Sequence, residues 1–369
     1  MALFSKKSKK KNEPVADENT ITAQWKVFNN RESFSLIFQD EDISERVVVE
    51  DIGEGRMVVF DPEVGIYFLF TGVDEVVEDE LQDVIGYFAP DGVACISVDE
   101  LKTYYCFYEG ENVSKTSSSF WVGDDLCLWI PEDEDYHLLK YSENPVDNEL
   151  LIPQCLEMPN ETIWFKVEDA HYHFYIKGEA VAKSTNSSYN GDDLLLYDTE
   201  NSCWYVFPDW ENVSLYTLCS ADIYDIEGDK LWSRVSDEGN YRLYDKGLFV
   251  DGEGMKACYC NDDVVVYVPA HEAHYLLIDF KNTELFVLYI PRSLPTNTHA
   301  IWMKPEAKKF KLFVEGKDMS TDVDPKIVDE NLLLLHEASN TIYVCMDYNN
   351  QPFDEFQAAV IMDATDFVK

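Results

Sequence analysis

Four turns of this 369-residue chain carry acids side by side. They read Gly123-Asp124-Asp125, Gly191-Asp192-Asp193, Asn261-Asp262-Asp263 and Asp329-Glu330-Asn331, and the corresponding stretch nearer the N-terminus is Glu54-Gly55-Arg56. A recurring carboxylate pair can hold a cation or a basic ligand surface. Calcium would want oxygens at alternate positions with a turn glycine, as in Asp-x-Asp-x-Asp-Gly, and no copy has that order. Gly, Asn and Asp also supply the backbone geometry of a tight turn without any ligand. The six residues Asp124, Asp125, Asp192, Asp193, Asp262 and Asp263 are therefore candidates for partner binding and not for a metal.

Histidine and cysteine pairs come next. His171-Tyr-His173 and Cys258-Tyr-Cys260 have the i, i+2 spacing that puts two side chains on one strand face, and His271-Glu-Ala-His274 falls in a loop. Zinc needs a third and fourth ligand, which the sequence does not designate, so no metal and no cofactor is expected. A Gly-rich phosphate loop and a Gly-x-Ser-x-Gly nucleophile elbow are both missing. No catalytic residue is assigned.

Charge bounds the partners. Asp+Glu number 71 against 29 Lys+Arg, a net charge of −42. A body this acidic repels phosphate backbones, which argues against nucleic acid on the folded part and for a protein partner with a basic surface. The exception is the start. Residues 1–12 hold Lys6, Lys7, Lys9, Lys10 and Lys11 and no acid, so the rest of the chain carries −47. Behind Met-Ala-Leu-Phe this arm can touch an anionic surface or an acidic partner, or stay solvated. Residue 2 is Ala, so the myristoylation signal is absent. Residues 1–20 show no periodicity and are expected to be a disordered arm.

A hydrophobic fraction of 46%, with 14% aromatic, excludes a core-poor acidic chain. There is no apolar run of the roughly 18 residues that a transmembrane helix needs and no secretory signal pattern. The nine cysteines are odd in number and mostly sit in apolar runs. Reduced thiols in a cytoplasmic protein fit this better than a disulfide framework.

The elements that must position these residues repeat. Short apolar strands begin at Met57, Leu126, Leu194, Val264 and Leu332, in steps of 69, 68, 70 and 68, each followed by a turn and a second strand. Trp25, Trp164, Trp232 and Trp302 form another column, with Cys95 in the missing place. About nine residues after each comes an alternating strand such as Phe34–Phe38 or Tyr172–Ile176. Four of these end at Gly110, Gly178, Gly247 and Gly316, with Asp40 in the first copy. Alternation with period 2 is the strand signature. The pattern predicts an all-β chain of five tandem antiparallel units, about 21–90, 91–159, 160–227, 228–297 and 298–369, of four or five strands each, as one domain over 21–369. Helix periodicity appears only over Glu80–Phe88 and Phe356–Ala364.

The hairpins carry a resemblance. Asp192-Asp-Leu-Leu-Leu-Tyr, Trp204-Tyr-Val-Phe and the closing Asp209-Trp-Glu-Asn212 turn, repeated as Asp279-Phe-Lys-Asn282 and Asp347-Tyr-Asn-Asn350, resemble the blade hairpins of β-propeller repeat proteins. The likeness covers about a third of each unit, and neither the Gly-His…Trp-Asp pair nor the kelch double glycine is present. It implies a five-bladed β-propeller; a linear array of five small β units is the alternative. Such rings include glycosidases, whose catalysis needs two carboxylates about 5–10 Å apart, one with a raised pKa. Here the copies have stayed alike, which argues against one asymmetric active site. The favoured reading is a non-enzymatic binding or scaffold protein presenting a repeated acidic β surface. A carbohydrate-active enzyme and a structural component of a viral or phage assembly are the alternatives.

Overall fold

The computed structural model describes residues 20–28, 33–97, 104–141, 149–181, 185–224, 229–250, 255–294, 296 and 298–364. Among them the structure is all-β, and the helical pieces are single 3-10 turns such as Val73–Glu75 and Phe280–Asn282. All sheet pairing between strands is antiparallel, and most sheets have four strands. That is the class and the sheet type expected.

The repeat is richer than the expected four or five strands. Repeat 1 has seven: Thr20–Phe28, Ser33–Phe38, Glu41–Asp42, Val48–Gly53, Arg56–Asp61, Ile66–Phe70 and Gln82–Phe88. Numbered within the repeat, strands 3-2-1-7 and 4-5-6-7 make two sheets that share the seventh strand, so one seven-stranded sheet rolls onto itself. Gly86 lets the shared strand press close to strand 6, since a Cβ there would lie 2.6 Å from the Phe68 ring. In repeat 2 the seventh strand divides into Leu150–Leu151, on strand 1, and Gln154–Leu156, on strand 6. Repeats 4 and 5 divide it likewise, as Leu288–Tyr289 with Arg292–Leu294 and Phe356–Ala358 with Val360–Asp363. Pro153 and Pro291 stand at two of the breaks, where a residue without an N–H suits an interrupted ladder. Each of repeats 2 to 5 therefore contributes two sheets, and in repeat 1 the two are joined through the undivided seventh strand.

Both segments with helix periodicity are this seventh strand. Gln82–Phe88 and the two pieces from Phe356 to Asp363 are extended. A short apolar run reads equally well with either period, and the open edges of strands 1 and 6 decide for the strand.

Each rolled sheet closes on its own core. Trp25, Leu36, Phe68 and Phe70 fill repeat 1, and Trp302, Leu312, Leu334 and Tyr343 fill repeat 5. Cys95 takes the tryptophan's place in repeat 2, beside Cys106 and Leu128. The chain forms two compact bodies, Met1–Ala182 with Ser214–Ser220, and Lys183–Val213 with Ala221–Lys369. The first holds repeats 1 and 2 and the leading sheet of repeat 3, and the second holds the remaining sheet of repeat 3 with repeats 4 and 5.

Within each body a second kind of core joins neighbouring repeats. The outer face of strands 5 and 6 packs on strands 1 and 2 of the next repeat. In the first body Val58, Phe60 and Tyr67 meet Ala94, Ile96 and Phe107, and Cys127, Trp129 and Tyr136 meet Ile163 and Phe165. In the second, Leu195, Tyr197 and Trp204 meet Leu231 and Tyr244, and Val265 and Leu276 meet Ile301, Met303 and Phe313. Strands buried on both faces explain why strands 5 and 6 read as continuous apolar runs and not as alternating ones.

Candidate interaction surface and buried polar clusters

The acidic turns join strand 4 to strand 5, and their two acids do different things. The second acid opens strand 5 and is used internally. Asp193 Oδ1 accepts the backbone N–H of Asp209 at 2.8 Å and Asp263 Oδ1 that of Asp279 at 2.7 Å. Asn331 Oδ1 does the same for Asp347 at 2.9 Å. Asp125 instead pairs with Lys140 at 2.9 Å. Burial, with Asp279 and Asp262 nearby, raises the Asp263 carboxyl above the usual carboxylate range. The first acid, Asp124, Asp192 or Asp262, is exposed in each repeat; Asp262 has Lys281 at 3.3 Å. The structure thus places one exposed carboxylate at the same turn of repeats 2, 3 and 4. Lys6, Lys7, Lys9, Lys10 and Lys11 lie outside the described residues.

Those closing backbone groups belong to the Asp-aromatic-x-Asn turns. Asp209, Asp279 and Asp347 have positive φ near 52°, and each carboxylate accepts from the asparagine three residues on. The turn aromatic is buried, as Trp210, Phe280 or Tyr348. In repeats 4 and 5 a cation at the end of strand 1 closes the turn. Arg234 donates to the carbonyls of Lys281 and Thr283 with its guanidinium 5.9 Å from the Phe280 ring. Lys304 donates to those of Tyr348 and Asn349, 5.3 Å from the Tyr348 ring. Sequence reading saw the turn and missed its cation, which stands 45 residues before Asp279 and 43 before Asp347.

The two histidines of His271-Glu-Ala-His274 separate. His271 ends the turn between strands 5 and 6. Its Nε2 is 2.7 Å from Asp245 Oδ2, and its Nδ1 is 3.1 Å from the Tyr275 hydroxyl. Lys230, paired across the strands with Asp245, adds a cation at 3.4 Å. Repeats 2, 3 and 5 put Val93 with Tyr108, Thr162 with Ile176 and Ala300 with Val314 at that cross-strand position. Repeat 2 distributes the same residue types differently: His137 Nε2 lies 2.7 Å from Asp133, and the Tyr108 phenol engages that carboxylate. Both clusters tie strand 2, the 5–6 turn and strand 6 together. Burial, then the Asp245 charge, pushes the Tyr275 phenol up to about 12, so it stays protonated and serves as a hydrogen-bonding group.

His274 lies in the joint to repeat 5. Its Nε2 accepts the Gly316 N–H at 3.2 Å. Tyr67 and Tyr136, at the same place in strand 6, accept from Gly110 and Gly178 at 2.8 and 3.0 Å, and donate to the carbonyls of Gly92 and Glu161. Trp204 holds the position in repeat 3; an indole N–H cannot accept, and there Asn190 links to Ser233 and the Tyr244 hydroxyl instead. The glycines have φ of +72° to +89°, and a Cβ on any of them would lie 2.5–2.9 Å from atoms of the preceding repeat. The constant offset of 42 or 43 residues between acceptor and glycine was the signal available in the sequence.

The other pairs are equally internal. Cys258 Sγ reaches the Gly316 carbonyl and Cys260 Sγ lies 3.0 Å from Met303 Sδ, both in the same joint. Cys95 and Cys106 face each other at 3.8 Å, and burial raises the Cys127 and Cys345 thiols. His173 stacks on Phe165 at 5.2 Å, and His171 sits exposed beside Glu168. Among the described residues no group of three or more His, Cys, Asp or Glu is arranged to hold a metal, and no helix is long and apolar enough to cross a membrane.

No protein-family model matches the chain, and no curated protein matches it. Among solved structures it is similar to AztD of Citrobacter koseri, with 11% identity over 93% of this chain and 99% of that one, at a TM-score of 0.15. It is also similar to Hsv2 of Kluyveromyces lactis, with 10% identity over 85% of this chain and 99% of that one, at a TM-score of 0.16. At these TM-scores the likeness says nothing about the function of this chain.

Proposed function

We propose that the chain is a non-enzymatic binding protein that offers a repeated acidic β surface to a protein partner with a basic surface. One observation carries this reading: in repeats 2, 3 and 4 the second acid of the turn is drawn inward by its own repeat while the first, Asp124, Asp192 or Asp262, is exposed at the same place, Asp262 with Lys281 beside it. Equivalent charges repeated from one repeat to the next suit a multivalent basic partner, and the net charge of −42 speeds its approach. The test is a triple variant, Asp124→Asn, Asp192→Asn and Asp262→Asn, titrated with polylysine at low and at physiological salt. Each exposed charge contributes about 0.2–1 kcal/mol, so loss of all three should weaken binding roughly 3- to 150-fold, with a shallower salt dependence. Affinity equal to that of the unaltered chain would sink the proposal.

A further inference from the structure

The same two positions of strands 1 and 2 face each other in the core of each repeat. Trp25 pairs with Leu36, Trp164 with Phe174, Trp232 with Leu243 and Trp302 with Leu312, all buried. In repeat 2, on Val93–Ser97 and Tyr104–Tyr108, the pair is Cys95 with Cys106. Both members of a bulky apolar pair are exchanged there, and both for a thiol. A core that had only lost its tryptophan would have no use for a second cysteine opposite, since leucine or phenylalanine serves there in the other four repeats.

The backbone sets how near the two can come. The Cys106 N–H donates to Ser114 Oγ at 2.8 Å, and its carbonyl accepts the Val113 N–H at 2.9 Å. Both groups point away from strand 1. Cys95 and Cys106 are therefore a non-hydrogen-bonded pair of the antiparallel ladder, the close kind, with Cα atoms about 4.5 Å apart. A disulfide spans Cα separations of roughly 4.4–6.8 Å. The two Sγ atoms stand 3.8 Å apart, with both residues buried. Other cysteines are turned elsewhere: Cys258 and Cys260 to the Gly316 carbonyl and Met303, and Cys155 to Asp135.

We propose that Cys95 and Cys106 are an oxidisable pair that closes as a cross-strand disulfide, a covalent staple in the repeat core that lacks the tryptophan. The oxidant is a small disulfide such as oxidised glutathione. The thiolate of one cysteine attacks it, forming a mixed disulfide and expelling one glutathione thiolate. The thiolate of the other cysteine attacks the protein sulfur of that bond and expels the second. The two cysteines lose two electrons and two protons, and one oxidised glutathione becomes two reduced ones. Contact with Cys106, then burial, holds the Cys95 thiol well above its ordinary pKa. The exchange therefore runs while strands 1 and 2 are apart, during folding or local opening.

The full chain, unfolded in urea with dithiothreitol and refolded with reduced and oxidised glutathione, tests this. Remaining thiols are alkylated and the chain is digested with trypsin, which cuts after Lys102, between the two cysteines. Peptides 57–102 and 103–115 carry one cysteine each. They should appear joined, two hydrogens lighter than their sum, and separate in dithiothreitol. Amide exchange in Val93–Ser97 and Tyr104–Tyr108 should slow about tenfold or more in the oxidised chain. Cys106→Val, which keeps an apolar side chain there, should abolish both the joining and the slowing. The peptide mapping uses the unaltered chain, so it decides even where that variant fails to fold. Both peptides recovered alkylated and unjoined, Cys95 or Cys106 joined to a different cysteine instead, or exchange in those strands indifferent to dithiothreitol each overturns the proposal.

Discussion

His274 occupies a place that repeats 1 and 2 give to tyrosine, and the exchange brings a pH response. To accept the Gly316 N–H its imidazole must be neutral at Nε2. Burial, helped by nearby His299, lowers its pKa to about 4 from an ordinary 6.5. The unfolded chain thus takes up the proton first. The contribution to stability is whole above pH 6.5 and is lost progressively as pH falls toward 4, by about 3 kcal/mol at the limit. His274→Tyr, which keeps an acceptor for Gly316, should remove that component. Urea midpoints at pH 7 and pH 5 give the readout: the drop between them should be smaller in the variant than in the unaltered chain. Equal drops would mean that His274 does not titrate in this window.

Strand 2 and strand 3 of a repeat meet at a turn that must slide under the preceding repeat. At Gly316 a Cβ would lie 2.8 Å from Lys256 Cβ and 2.9 Å from Tyr267 Cβ, and φ is +72°. None of those atoms is the free end of a flexible chain. Gly316→Ala should therefore cost about 2–4 kcal/mol, from backbone strain and overpacking together. A denaturant midpoint within error of the unaltered chain would refute this. The hydrogen bond that the turn makes contributes only about 1 kcal/mol, whereas burying each of Val265, Leu276, Ile301, Met303 and Phe313 contributes about 1.5–3 kcal/mol. Apolar packing holds the joint, and the glycine with its acceptor sets the register. The glycine column was legible in the sequence. Its acceptors were not, because Tyr67, Tyr136 and His274 look like ordinary members of apolar strands until the next repeat is laid against them.

Over the whole molecule, stability in such a chain is close to a sum of repeat terms and nearest-neighbour joints. A broken joint should loosen only its two sides. In Gly316→Ala, amide exchange should quicken in Lys256–Tyr267 and Lys311–Val314 and stay unchanged in Val48–Phe60 and Tyr104–Tyr108, which meet at another joint. Uniform quickening across all four segments would show global cooperativity and defeat this picture. Composition and period by themselves determined that the chain is all-β, that it repeats about every 69 residues, and which columns are apolar, since strand alternation and buried volume leave their mark on residue type. They left the seventh strand of repeats 1 and 5 readable with either period, because its state is chosen by partner edges far away in sequence. They could not show that the seventh strand is shared by two sheets in repeat 1 and divided between two in repeats 2, 4 and 5, nor which acid of each turn is held by the backbone and which lies exposed. Those depend on what a side chain meets after the chain has closed on itself, and a residue type carries no record of the distant atom it will touch.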